Sequence, residues 1–359
     1  MKLDKNEFIA GRPLSPGEDL MTGEWTLQEI LSAVAQGNNV SVVGVRRMGK
    51  TTLNNFLRDE KERGKFDFGE DRSWICVDLQ KDINMGPQRF VNILKEQGLD
   101  LTINDPKDES EVFMALSRAA DSQPIVLAID EFDAAMTTEL FTAKGLNALR
   151  AAYNNKDLTL ICFSFRTISR ICDLRLRQTG QDESELLSSF FNTFKVVNIP
   201  PVPEEDFSAW LSRKNVPECW HEPIFREAGP CPFLLQLLCD AIYWTYDGVF
   251  TDRGPIQISP EALDKFMATA ASHYDRAIQP LNKRAKEILI HYARLGVDHD
   301  GTIRCDGTAS YGGNPLEDEP ICESLANKRL LLKSWDGGKK EYKIFSNQLA
   351  KRLLMGRTA

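Results

Sequence analysis

The chain has 359 residues, a formal net charge of −8, 42% hydrophobic and 27% charged residues, which excludes a single small core, a disordered chain and a fibrous one. FLLQLLCDAIYW is interrupted by Gln236 and Asp240 and MKLDKNEFIAGRP holds no apolar leader core, so the expectation is a cytoplasmic protein with no membrane partner. The eight cysteines show no CxxC spacing and no grouping with the four histidines, so they read as buried reduced thiols rather than a zinc site or a disulfide frame.

The first chemical signal in chain order is VSVVGVRRMGKTTLNNFL, Val40 to Leu57. Its β-branched start reads as a buried strand, and Leu53, Phe56 and Leu57 fall on one face of a helix running from about Thr51 to Arg58. Between them Gly44-Val45-Arg46-Arg47-Met48-Gly49-Lys50-Thr51 fits GxxxxGK[ST]. Two glycines let the backbone curl so that N–H groups face the β- and γ-phosphates of a nucleotide. Lys50 supplies a point charge, Thr51 a hydroxyl for Mg2+, and the helix its positive end.

SWICVDL (Ser73–Leu79) reads as a second strand, followed by helical PQRFVNILKEQ and ESEVFMALSRAA. QPIVLAIDEFD then supplies what a phosphate loop needs. Ile125–Ile129 is an unbroken apolar run suited to a central parallel strand, with Asp130 at its C-terminal end to hold a metal's water shell. Glu131 follows and can polarise an attacking water. Asp133 either supports the metal shell or caps the next segment. LTLICFSF (Leu158–Phe165) and FKVVNI (Phe194–Ile199) complete a set of strands alternating with helices, the signature of a parallel sheet covered on both faces. LTLICFSF is expected between the two motif strands. Ser164, Arg166 and Thr167 at its end are either sensors of hydrolysis or an ordinary strand exit.

PPVPEEDFSAWL (Pro200–Leu211) is a proline-marked linker into a helix, with Glu204, Glu205 and Asp206 suited to the first turn. LNKRAKEILIHYARLG is an amphipathic helix ending at Gly296, and an irregular acidic stretch, Asp298–Glu319, precedes EPICESLANKRLLL. KSWDGGKKEYKIF reads as two strands joined at Asp336-Gly337-Gly338. Charge is uneven: residues 281–359 carry fourteen basic and ten acidic residues, net +4, against −12 for 1–280. Residues 328–359 alone hold nine basic and two acidic.

Taken together the motifs resemble the STAND-class P-loop ATPases, in particular prokaryotic branches close to archaeal-type AAA ATPases and origin-binding ATPases. FIAGRPL (Phe8–Leu14), GVRRMGKTT, LAIDEFD and REAGPCPFLLQLLCDAIYW (Arg226–Trp244) carry the resemblance, and SSFFN (Ser188–Asn192) is in keeping. It implies that Gly11 and Arg12 lie against adenine. It implies a nucleotide set of Gly44, Arg46, Arg47, Met48, Gly49, Lys50, Thr51 and Thr52. Pro232 of a helical lid would contact the nucleotide, although Pro230 stands where the family has glycine. Proline also suits the start of the helix that follows. Arg166 is a further candidate ligand, and no arginine finger is assigned among Arg166, Arg170, Arg175 and Arg177. The expected fold is an α/β P-loop core of AAA type (1–200), a helical lid (201–275) and a winged-helix-like domain (276–359). The expected activity is slow, regulatory hydrolysis of ATP to ADP with Mg2+, with Lys50, Asp130 and Glu131 catalytic. Such a chain acts as a switch on a protein partner or on self-assembly. The alternative is a DNA-binding initiator or loader gripping phosphates with Lys333, Lys339, Lys340 and Lys343, a use of nucleic acid that the acidic body does not favour.

Overall fold

The computed structural model describes residues 2–66, 68, 72–80, 85–153, 157–171, 193–253, 257–295, 315–336 and 339–355. SSFFN, Arg175, Arg177, Gly296, the Gly337-Gly338 turn and most of the acidic stretch lie outside these residues. The chain divides into two compact units: Pro13–Glu18 with Gly23–Pro200, and Met1–Arg12 with Asp19–Thr22 and Pro201–Ala359.

The first, the sheet unit, opens with α1 (Glu24–Ala35), which buries Leu27, Ile30, Leu31 and Val34. Then come β1 (Val40–Val43), α2 (Lys50–Arg58), α3 (Glu60–Gly64) and β2 (Ser73–Asp78). They are followed by α4 (Pro87–Glu96), α5 (Glu109–Ser122), β3 (Ile125–Asp130), a 3-10 turn (Phe132–Met136), α6 (Ala143–Tyr153), β4 (Leu158–Ser164) and β5 (Lys195–Asn198). The five strands form one sheet in the order β2-β3-β4-β1-β5, and every pairing is parallel. Every residue of β3 and β4 is buried, because both faces of a parallel sheet are covered. β4 stands between β1 and β3, where the sequence places LTLICFSF. This order brings the ends of the two motif strands to one edge. Val43 of β1 pairs with Ser164 of β4, and Asp130 of β3 pairs with Asp78 of β2. Residues 13–18 pack on α2 and α3. Leu14 donates its N–H to Thr52 Oγ1 (3.1 Å) and accepts from Asn55 Nδ2 (3.0 Å). Gly17 N–H donates to Glu62 Oε1 (3.0 Å).

The second, the helical unit, holds α7 (Glu204–Arg213), a 3-10 turn (Glu218–Trp220), α8 (His221–Ala228), α9 (Pro232–Thr245) and α10 (Pro260–Ile278). Beyond them are α11 (Lys283–Leu295), α12 (Pro315–Asn327), β6 (Leu331–Asp336), β7 (Lys339–Ile344) and α13 (Asn347–Met355). Pro232 opens α9 at its first position, where a missing N–H costs nothing. β6 and β7 are an antiparallel pair with Leu331 opposite Ile344. Residues 1–12 and 19–22, assigned to the 1–200 core from sequence, pack in this unit. Phe8 meets Trp210 (5.9 Å between ring centroids), Asn6 Nδ2 donates to Asp240 (2.6 Å), and the Ile9 N–H donates to Gln236 Oε1 (2.8 Å). Asp19 pairs with Arg213 (3.0 Å) and Thr22 donates to Asp206 (2.9 Å). Two carboxylates of α12 are engaged within the unit: Asp318 receives two bonds from Arg284 (2.8 and 2.6 Å), and Glu323 pairs with Lys333 (2.8 Å) and Lys340 (3.0 Å). The hydrogen bond from Lys333, with that from Lys340 added, pulls Glu323 down to about 2 against an upward push from burial.

The described cysteines are thiols, not disulfides. Cys162, Cys231, Cys239 and Cys322 are buried as expected, whereas Cys219 is exposed and its thiol is 3.5 Å from the Asp252 carbonyl oxygen. Among the described residues no helix is long and apolar enough to cross a membrane, and no group of three or more His, Cys, Asp or Glu could hold a metal ion.

Candidate functional site

The loop between β1 and α2 is shaped by both glycines, for different reasons. Gly49 has φ +92 with no neighbouring atom within 4 Å of a built Cβ, so backbone conformation is what requires glycine there. At Gly44 a Cβ would come within 3.0 Å of the Ile199 side chain. That glycine serves the close approach of the loop to the end of β5, which curling of the loop alone does not predict. Arg47 also has positive φ, at 70°. Met48 is buried and anchors the loop, while Arg46 and Arg47 are exposed. Gly49 caps α2 without any side-chain hydrogen bond, which leaves the first-turn N–H groups without a side-chain partner and suited to an anion.

Lys50 is 5% exposed. Its Nζ donates to Gly44 O (2.8 Å) and Val45 O (3.3 Å). An ammonium has three donors, so one remains for a ligand. Burial lowers its pKa, and the carboxylates of Glu131, Asp130 and Asp133 oppose that shift. Asp130 shows the converse: burial raises its pKa, with hydrogen bonds from the Thr51 hydroxyl and the Glu131 N–H acting against this. Each group stands in a dry place where an opposite charge would stabilise its ionised form. The Thr51 hydroxyl and Asp130 carboxylate are hard oxygen ligands, the donor set that Mg2+ takes alongside phosphate oxygens and waters.

Glu131 has φ 53, a left-handed conformation that ends β3 and starts the 3-10 turn. Non-glycine residues held there cluster at functional sites. Phe132, buried behind it, is fixed edge-on against Phe141 (5.3 Å). Asp133 lies in the 3-10 turn that follows. It accepts the Phe165 N–H and lies 3.5 Å from the Arg166 guanidinium, tying the turn after β3 to the end of β4. Arg166 is thus engaged by a carboxylate. Ser164 is buried and donates its hydroxyl to Arg166 O, and its carbonyl accepts the Gly44 N–H (3.1 Å). Thr167 Oγ1 lies 3.1 Å from Ser169 Oγ, and Arg170 is exposed. Thr52 Oγ1 holds Leu14. Gly11 (φ +101), Arg12 and Pro232 belong to the helical unit. Asp78, which sequence reasoning passed over, raises the Asp130 pKa from the adjacent strand end. Its signal was the shared form of the two strands, an apolar run closed by an aspartate.

The structure therefore brings Lys50, Thr51, Asp130, Glu131 and Ser164 together at the edge where β1, β4 and β3 end. Residues 34–168 match the family model described as AAA domain. No curated protein matches the sequence. Among solved structures, the Walker-type ATPase PABY2304 of Pyrococcus abyssi aligns with TM-score 0.62 and 17% identity over 96% of this chain and 98% of that one. The Aeropyrum pernix ORC2 protein, in its ADPNP-ADP complexes, aligns with TM-score 0.58 and 11% identity over 100% of both chains. Its ADP form aligns with TM-score 0.54 and 12% identity over 98% of both. At these identities the likeness is one of fold, an α/β P-loop fold with a parallel five-stranded sheet. The names matched are AAA, Walker-type and ORC, so the STAND assignment rests on the sequence motifs alone.

Proposed function

We propose that the chain is an AAA-type ATPase that binds ATP on the Gly44–Thr51 loop, hydrolyses it at Glu131, and uses the nucleotide state to govern a nucleic-acid ligand at its C-terminal domain. The observation that carries the first part is the placement of the buried Lys50 ammonium among the Asp130, Glu131 and Asp133 carboxylates. Two of its N–H groups are held by loop carbonyls, so the third points its charge at a phosphate without a search through rotamers. The free first turn of α2 adds backbone donors. Thr51 and Asp130 would hold Mg2+, which when bound neutralises phosphate charge. Glu131, locked at the strand end, accepts the proton of the attacking water.

Asp130→Ala is expected to weaken the Mg2+ dependence of ATP binding about 10- to 100-fold, the range for losing a carboxylate that orders a metal's shell. Titration of bound ATP against free Mg2+ reads it directly. An unchanged dependence would move the role to Asp78.

The AAA match, the likeness to ORC2 and the net +4 of residues 281–359 support the nucleic-acid reading over the STAND switch set first from sequence. In this reading β6–β7 with α11–α13 is the winged-helix-like domain and α7–α10 the lid. Lys333 and Lys340 are held by Glu319 and Glu323, so they contribute less to phosphate binding than their number in the sequence implies. Lys343, which draws no such partner among the described residues, is the hairpin lysine to test. Duplex DNA binding followed by anisotropy is expected to fall steeply between about 50 and 200 mM salt, and Lys343→Glu to weaken it at every salt concentration. Absence of duplex binding with ATP turnover intact would return this domain to a protein partner or self-assembly.

A further inference from the structure

One peptide unit at the exit of β4 is bonded to both halves of the candidate site. The Ser164 carbonyl accepts the Gly44 N–H (3.1 Å) at the head of the phosphate loop. The Phe165 N–H, in the same peptide unit, donates to Asp133 Oδ2 in the turn that begins at Glu131. β4 lies between β1 and β3, so the carbonyl and the N–H reach out to either side. A peptide unit is planar and stiff, so loop and turn are fixed to one plate. All of these residues belong to the sheet unit. The turn needs such a tie. Glu131 sits at φ 53, a conformation that costs energy and persists where the surroundings enforce it. Its N–H donates to Asp130 Oδ1 (2.9 Å) and its carbonyl accepts the Ala134 N–H (2.9 Å). Those bonds hold the turn's internal shape but not its distance from the phosphate loop. Phe132 and Ala135 are buried beneath it, and apolar burial is non-directional. Asp133 supplies the directional bond. Its Oδ1 is buried with no hydrogen-bond partner among the described residues, 3.5 Å from Arg166 Nη1. That guanidinium lies over the Phe165 ring (5.6 Å) and compensates the carboxylate's charge.

We infer that the Ser164–Phe165 peptide unit sets the spacing between the phosphate loop and Glu131, and that Asp133 seats Glu131 on it. The inference rests on the proposed hydrolysis at Glu131. Asp133 is a positioning residue, since it acts through the backbone of the turn. Without it Glu131 drifts from the water it must meet. Lys50, Thr51 and the first turn of α2 follow the Gly44 side of the plate and keep their hold on ATP. The loss therefore falls on kcat and not on ATP affinity.

The test compares the full chain with Asp133→Ala and Asp133→Asn, by calorimetric ATP binding, steady-state turnover and hydrogen exchange of the Phe165 amide. Asp133→Ala deletes the acceptor. Turnover is expected to fall about 10- to 100-fold, the upper figure being the cost of a misplacement of about 1 Å. ATP affinity is expected to stay as in wild type and exchange at Phe165 to rise. Asp133→Asn keeps an oxygen for the Phe165 N–H but cannot take a proton from water. It is expected to return exchange to the wild-type rate and turnover to within about fivefold of wild type, the difference between a charged and a neutral acceptor. Asp133→Asn as slow as Asp133→Ala would show that the carboxylate charge matters, as base or in the metal shell. That overturns the inference and leaves the ATPase reading standing. Unchanged turnover in Asp133→Ala would overturn it likewise, as would unchanged exchange at Phe165. Lost ATP affinity in Asp133→Ala would mark the residue as merely structural, and overturns it too. A wild-type chain that neither binds nor turns over ATP would overturn the ATPase reading itself, and the inference with it.

Discussion

Lys50→Ala is expected to lower ATP affinity about 100-fold or more, the upper end of what one charge-assisted hydrogen bond contributes. The side chain is buried, and its Nζ is the point at which the loop carbonyls of Gly44 and Val45 converge. Removing it deletes a cation facing the phosphates. It also leaves the Asp130 and Glu131 carboxylates, which act on Lys50 in the free protein, opposite phosphate with nothing between. Like charges in a partly dry site repel strongly. Lys50→Arg is expected to be nearly as poor, because a planar fork cannot satisfy two loop carbonyls and still present a compact charge. Calorimetric titration with ATP measures both. Equal affinities in wild type and Lys50→Ala would show that this loop is not the nucleotide site.

The second large effect concerns turnover. Glu131→Gln is expected to bind ATP as wild type does and to hydrolyse it about 10²- to 10⁴-fold more slowly, the usual contribution of a positioned general base. Gln accepts the same left-handed backbone about as well as Glu, so the turn that begins at Glu131 should persist. Should turnover persist, Asp133, which receives the Phe165 N–H and faces Arg166, is the next carboxylate to test. A steady-state phosphate-release assay at saturating ATP distinguishes the outcomes, and unchanged turnover would remove Glu131 from the chemistry.

Local patterns were legible where both halves of a contact lie close in sequence. The phosphate loop, the Asp130-Glu131 pair and the buried strand LTLICFSF are each contained within about twenty residues, and the parallel order of the strands follows from alternating helices. Contacts between distant strand ends were not legible. Gly44 against Ile199, Asp78 beside Asp130 and Asp133 with Arg166 all depend on register. α1 escaped for another reason. Its apolar period is plain in EWTLQEILSAVA, but it starts after Gly23 at φ 114 with no capping side chain, so the usual start signal is missing. The choice between STAND and AAA turned on motif strings that both share.

The alternation of residues 1–22 between the two units also sets a schedule for synthesis. Asn6 leaves the ribosome 234 residues before its partner Asp240, and Asp19 waits 194 residues for Arg213. At about 5–20 residues per second the first interval is on the order of ten to fifty seconds. Once Pro200 is made, before Asp240, the sheet unit, with Leu14 seated on Thr52 and Asn55, has all of its chain and can fold. Phe8 and Met21, both buried in the finished protein, meanwhile remain without the helices that cover them. They are apolar side chains open to a nascent-chain chaperone during that interval.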